Sequence, residues 1–313
     1  MDPFLTCPWQ GKPTDESTNK GYFLPNGRST NMTPLLVGLV LTAAVLHAVW
    51  NAMAKSGGTP EMSIASYQLV GSLVCILLAV WLPFPDRAAW PMIIGSVVIH
   101  NFYYFALARA YRAGDLSQVY PLFRGAAPVL VACGAAVVAH EYLTPGTVAG
   151  IVFISLGVMS LAFRTATFGA MPRAAIVWGA VTAVLIAAYT VVDGLGIRTS
   201  SNKLSYIVWL FILEVVPIGT IMLATRRAQW FDYMRANRWT VIAGGVASSA
   251  AYGLVIYAMS LGALAVVSSL RETSVIFAAI IGTLFLREPF GAARIRAAAL
   301  VAVGIAVMRW LGI

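Results

Sequence analysis

Beyond residue 33 the chain alternates long apolar runs with short polar breaks. Runs of about 20 residues, enough to cross a ~30 Å hydrocarbon core as a helix, fall at 34–55, 62–83, 89–111, 117–139 and 145–163. Five more fall at 174–193, 204–225, 239–260, 265–286 and 291–311. The breaks hold turn formers: KSGGTPE, PFPDR, RAGD, EYLTPG, SSNK, SLGA and REPFG. The longest break, RRAQWFDYMRANR, is amphipathic and suited to lie along a membrane interface. The pattern predicts an all-α polytopic membrane protein with ten transmembrane helices, and it leaves no room for a soluble catalytic domain.

The ten runs repeat as five and five. Ser66-Tyr67 recurs as Ser205-Tyr206, and Trp50 stands opposite Tyr189, both 139 residues later. Trp90 and Gly95 match Trp239 and Gly244 at 149, and Gly114 matches Gly262 at 148. Arg124, Glu141 and Gly157 match Arg271, Glu288 and Gly304 at 147, so the Arg-to-Glu spacing of 17 residues is the same in both halves. The repeats are expected over 33–164 and 173–312. Five is an odd number of crossings, so the second repeat enters the membrane from the opposite side. That inverted construction belongs to secondary transporters, whose substrate site lies near the midplane between the repeats.

Composition agrees with a chain buried in lipid: 59% hydrophobic, 11% charged, mean hydropathy +0.81. An average soluble domain is roughly 25% charged. The net charge of +9 lies mostly between the apolar runs, which fits lipid headgroups and topology signals and not nucleic acid. Cys7, Cys75 and Cys133 are scattered without CxxC spacing, so neither a disulfide framework nor a metal site is expected. Residues 1–31 are polar and rich in Pro, Gly, Ser and Thr, without the basic and apolar regions of a signal peptide. They are expected to form a disordered tail reaching Met32, and a start of translation at Met32 is a second expectation. No HExxH, GxSxG, Walker A or DxxxD pattern occurs. No enzymatic activity, cofactor or ATPase subunit is therefore expected, and the partners are a small-molecule substrate and the lipid bilayer.

Charges inside the runs carry the chemistry, because an ionised side chain at a helix centre costs about 2.5–3.5 kcal/mol on insertion scales. Arg124 and Arg271 fall at equivalent depths in the fourth and ninth runs, with Glu272 beside the second. A guanidinium is a planar fork of donors matched to carboxylate, phosphate or phosphonate. The pair either binds a substrate's anionic group or is neutralised in a permanent salt bridge with Glu272. Neighbours on a helix point about 100° apart, so Glu272 is expected to meet a charge on another helix in preference to Arg271, to bind a substrate amine, or to carry a proton. Tyr120 lies four residues before Arg124 and shares its stripe.

Other polar stripes extend the site. In the first run His47, Trp50, Asn51 and Lys55 recur at steps of three and four. His47 is read as a proton relay or as a packed hydrogen-bond partner. The third run carries His100, Tyr103, Tyr104 and Tyr111, with His100 and Tyr104 expected at the cavity and Tyr111 at the interface. The eighth carries Ser249, Tyr252 and Tyr257. Glu214, mid-run in the seventh, faces protein or carries a proton. The candidates are thus Arg124, Arg271, Glu272, His47, Trp50, Asn51, Tyr104 and Tyr120 for substrate, and Glu272, Glu214, His47 and His100 for proton coupling. Asp193 is expected to reach the headgroups and pair with Arg198, and Glu141 and Glu288 to cap the helices that follow them.

The five-plus-five arrangement, with VVAHEYLTPG and LFLREPFG closing the fourth and ninth runs on a glutamate, resembles the EamA-type branch of the drug/metabolite transporter superfamily over about residues 33–312. The resemblance implies proton- or gradient-coupled movement of small metabolites, often outward. It also implies a central cavity lined mainly by the first, third, fourth, sixth, eighth and ninth spans, and an integral location in the plasma membrane, the inner membrane of a bacterium. It implies a cytoplasmic N-terminus as well, whereas the basic residues divide seven to twelve in favour of the other face, which the positive-inside rule assigns to the cytoplasm.

Overall fold

A computed structural model of the chain describes residues 32–56, 60–114, 116–162, 171–284 and 291–312. Their regular structure is helical, forming α1 (Pro34–Ser56), α2 (Pro60–Ala79), α3 (Trp90–Ala113), α4 (Leu116–Val138), α5 (Pro145–Met159) and α6 (Arg173–Thr199). The chain continues with α7 (Lys203–Thr225), α8 (Arg227–Ala236), α9 (Arg238–Met259), α10 (Leu264–Arg271), α11 (Ser274–Leu284) and α12 (Ala292–Leu311). No strand occurs among the described residues. The expected tail, the Glu288 turn and the side chain of Lys55 lie outside them.

Among the described residues seven helices, α1 to α4, α6, α7 and α9, are long and apolar enough to cross a membrane. The other expected spans take different forms. The fifth run gives the 15-residue α5, and the tenth gives α12, long enough but carrying Arg294, Arg296 and Arg309. The ninth run is broken at Glu272-Thr273 into α10 and α11. Amides 272, 273, 275 and 276 there bond back only three residues, to the carbonyls of Ser269, Leu270, Glu272 and Thr273, a tightened turn typical of functional breaks. Its counterpart α4 stays continuous although Pro121 and Pro128 lie inside it. The amphipathic linker is helical as well, and Trp230 of α8 is buried, donating from Nε1 to Ser66 Oγ at 2.9 Å.

Local chemistry sets several ends. Thr144 caps α5 by accepting from the Thr147 amide, with Pro145 in the first turn, where its missing N–H costs nothing. Asn202 caps α7 by accepting from the Ser205 amide at 3.0 Å. Just beyond α4 stands His140, whose φ of 53° is in the left-handed region. The Glu141 amide then returns to the Ala135 carbonyl, a helix-ending geometry that turns the next side chain back toward the bundle.

Polar contacts at the two ends fix the direction of each helix. At one end Glu61, opening α2, accepts from Arg112 at the close of α3 and Arg226 after α7. At the other, Asp86 in the α2–α3 connection accepts from the amide and hydroxyl of Ser201, between α6 and α7, at 2.7 and 2.8 Å. Those two donors hold the Asp86 carboxyl below the usual carboxylate range. Also at this end, Arg198 closing α6 meets Glu141 after α4. It follows that α2 runs from the Glu61 end to the Glu141 end while α7 runs back, and that α1 and α6, like α3 and α9, are antiparallel.

Packing repeats the same symmetry: α3 lies on α6 as α1 lies on α9, and α4 on α6 as α10 and α11 on α1, while α5 packs on α12. At that last contact a Cβ on Gly150 would stand 2.6 Å from the Gly304 carbonyl oxygen. The equivalent pair, Gly157 and Ala297, is also in contact, a Cβ on Gly157 standing 3.1 Å from the Ala297 oxygen. Helices in lipid gain little from burying apolar surface against one another and rely on such close small-residue approach. The outward faces are apolar, with Leu77, Val80, Trp81, Phe102 and Val137 exposed.

Candidate functional site

A cavity of about 760 Å³ lies between the two halves. Its wall is drawn from the centre of the bundle, at His47, Tyr104, Arg124 and Arg271, and from the Glu61 end, at Tyr111 and Arg294. None of it comes from the Glu141 end. That end is closed by the Glu141–Arg198 ion pair at 2.6 Å, by Arg198 donating to the Met259 and Gly262 carbonyls, and by Phe84, Trp90 and Trp209 packed together. The cavity therefore reaches toward one face and is sealed from the other.

At its deepest point α4 meets α10. Arg124 and Arg271 are almost fully buried, and Glu272 between them is 0% exposed, so it stands behind the cavity wall and not in it. Its Oε1 lies 2.9 Å from Arg124 Nη2 and 3.7 Å from Arg271 Nε. The first contact is the inter-helix pairing expected for Glu272. The second, between sequence neighbours at the tightened turn, is the longer of the two and was not expected. In this arrangement the Glu272 carboxylate is taken up by two guanidinium groups. These ion pairs align no hydrogen bond: Nε and Nη2 of both arginines have no hydrogen-bond acceptor among the described residues. Two cations on one anion leave one net positive charge, with donors unsatisfied, at the floor of the cavity.

The remaining expected residues gather on the same wall. His47 packs edge-on to Trp50 at 5.1 Å, and Trp50 edge-on to Tyr67 at 6.4 Å. Asn51 lines the cavity while its amide donates to the His47 carbonyl at 2.7 Å. Tyr120 stands against Phe123, 5.4 Å between rings. Glu214 is buried and accepts from the Tyr104 hydroxyl at 2.8 Å and from Gln68 at 3.4 Å, while Gln68 also bonds the Tyr104 oxygen. Among the described residues that carboxylate thus has neutral hydrogen-bond partners only. His100 stacks on Tyr189 at 4.0 Å. Tyr111, expected at the interface, lines the cavity.

Two expectations are overturned. Asp193 does not reach the headgroups: it is 0% exposed and accepts from Tyr206 and Tyr252. Arg198 pairs instead with Glu141, whose other oxygen accepts from the Leu264 amide at 2.9 Å. Glu141 therefore caps α10 of the second half, not the α5 that follows it. Two further residues join the cavity wall without having been expected there: Gln68, whose signal in the sequence is an amide in the middle of an apolar run, and Tyr189, the counterpart of Trp50.

A sequence model of the EamA-like transporter family matches residues 35–163 and again 173–310. No curated protein matches the chain. A solved crystal structure, described only as "Crystal structure of protein", superposes with a TM-score of 0.71 at 18% identity, covering 88% of this chain and 97% of that one. At that identity the likeness is one of fold.

Proposed function

Because the chain belongs to the EamA-like transporter family, we propose that it is a secondary transporter moving a small polar metabolite, anionic or zwitterionic, across the plasma membrane by alternating access. Ten spans in two inverted five-helix repeats rock about the cavity, with α5 and α12 crossing beside the seven longer helices and the broken α10–α11 as one span. Proton coupling or exchange drives the movement.

One observation carries this reading: two buried guanidinium groups, one from each half, share a single carboxylate behind the wall of a cavity that both of them line and that reaches one face only. An anionic group fits there as a second acceptor and brings the centre to neutrality. Broken helices at the midplane are where such carriers hold substrate and coupling ion. His47, Trp50, Asn51, Tyr104 and Tyr120 line the space, and Glu214 offers an acceptor for a substrate amine or a proton. The test is thermal stabilisation of the purified protein by a panel of organic anions, amino acids and phosphonates, repeated on Arg271→Gln. An anion or zwitterion is expected to stabilise the wild type and not the variant; equal stabilisation of both would refute the binding role.

Glu214, without a cation among its partners, favours a second reading, efflux of cationic compounds. Stabilisation by organic cations that is lost in Glu214→Gln and kept in Arg271→Gln would select it.

A further inference from the structure

We propose that Asp193 is the proton-binding site of the transport cycle, fed from the cavity through His100 and Ser96. The inference rests on the proton-coupled form of the reading above and adds a site outside the cavity wall.

Asp193 is fully buried in α6, and its carboxylate accepts from Tyr206 of α7 at 3.0 Å, Tyr252 of α9 at 2.6 Å and the Ser96 hydroxyl of α3. All three donors are neutral. The ionisable groups around it include His100 and Tyr103 on α3, Tyr189 and Arg198 on its own α6, Arg124 on α4, Tyr206 and Glu214 on α7, Tyr252 on α9, and Arg271 and Glu272 at the end of α10. None of the nearby arginines serves as its counter-ion: Arg124 and Arg271 stand on Glu272, and Arg198, further along α6, on Glu141. A buried charge held by neutral dipoles alone is costly, and a proton is the ion that reaches such a site along hydrogen bonds without opening the core.

The route is drawn by three groups. His100 lines the cavity, and its Nδ1 lies 3.0 Å from the Ser96 carbonyl oxygen and 3.1 Å from Ser96 Oγ. A carbonyl oxygen only accepts, so Nδ1 carries the hydrogen and Nε2 is the nitrogen that takes up a proton. Ser96, accepting from Nδ1, directs its own hydrogen to Asp193. A proton arriving at Nε2 from the cavity releases the Nδ1 proton to Ser96 Oγ, whose hydrogen passes to the carboxylate. One proton has then moved inward, and His100 is left neutral in its other tautomer. Asp193 lies beyond the cavity toward the closed face, near the start of α7, and ties α6, α7 and α9 of the second half to α3 of the first. A change in its charge is therefore felt by both halves and on the side that must open next.

The test uses the proton itself as ligand. Infrared difference spectra of the full chain in liposomes, taken between neutral and acid pH, are expected to contain a buried carboxylic C=O band. That band should shift in wild-type protein grown with carbonyl-labelled [13C]aspartate and be lost in Asp193→Asn. Aspartate labelling keeps the assignment testable if the variant fails to fold, since Asp86 and Asp232, the other aspartates among the described residues, are not buried. Ser96→Ala is expected to keep the band and slow its appearance after a pH jump at least tenfold. No aspartate-sensitive band, a band that shifts only with labelled glutamate, or an unaltered rate in Ser96→Ala would overturn the proposal. No substrate is involved, so failure here leaves the transport reading standing, and failure of the substrate panel leaves this titration unaffected.

Discussion

Replacing Glu272 with glutamine removes the one anion that holds Arg124 and Arg271 together while changing the side-chain volume little. Two unit charges about 4 Å apart attract by about 4 kcal/mol at the effective dielectric suited to protein sites. The carboxylate makes two such contacts, at 2.9 and 3.7 Å. Against this stands the desolvation of the carboxylate itself, which the substitution relieves. Buried pairs broken from one side lose about 3–5 kcal/mol, because an uncompensated charge stays behind. Here two guanidinium groups stay behind in mutual repulsion, so the upper part of that range applies. The apparent melting temperature of the purified variant is expected to fall by several degrees. Adding Arg124→Gln removes one of the stranded cations and should recover more than half of the loss. A Glu272→Gln protein as stable as wild type, or a double variant weaker than the single one, would refute the reasoning. Anions offer a second readout: a centre with one net positive charge prefers a substrate bearing one negative charge, whereas Glu272→Gln, with one more net positive charge, shifts stabilisation toward doubly charged anions.

Two further perturbations test the frame around the site. Glu141→Gln strands Arg198, although the Met259 and Gly262 carbonyls still receive it. A loss of about 3 kcal/mol is expected, together with faster labelling of a cysteine at position 263 from the sealed face; unchanged labelling would show that the pair does not hold that face shut. Gly304→Leu drives a side chain into the Gly150 carbonyl, where even a Cβ would come to 2.7 Å. It should cost about 1–3 kcal/mol, the usual penalty of overpacking, measured by thermal unfolding, while the exposed Val137→Leu leaves stability unchanged.

Much of this architecture is legible in the sequence because the bilayer imposes simple rules on it. Backbone groups in lipid must be satisfied within the segment, so runs of about 20 apolar residues announce helices and polar turn formers mark their ends. The repeat is legible for a related reason: Arg124 and Arg271, or Gly157 and Gly304, sit where symmetry demands the same chemistry twice. An arginine inside an apolar run is costly enough that its presence alone draws attention to the site.

Other features were decided only by the folded molecule. Apolar content does not report the break at Glu272-Thr273, because apolar residues continue on both sides of it, nor does it report that Glu272 stands against arginines of two different helices. Asp193 reads in sequence as a charge near a span end. The length of α6, which continues to Thr199, draws it into the core among tyrosines from α7 and α9. Glu141 and Arg198 are 57 residues apart in the chain and meet because α4 and α6 finish at the same face. Hydropathy and spacing are properties of one segment. Which acid answers which base depends on direction and packing between segments, and that is settled only when the helices close around the cavity.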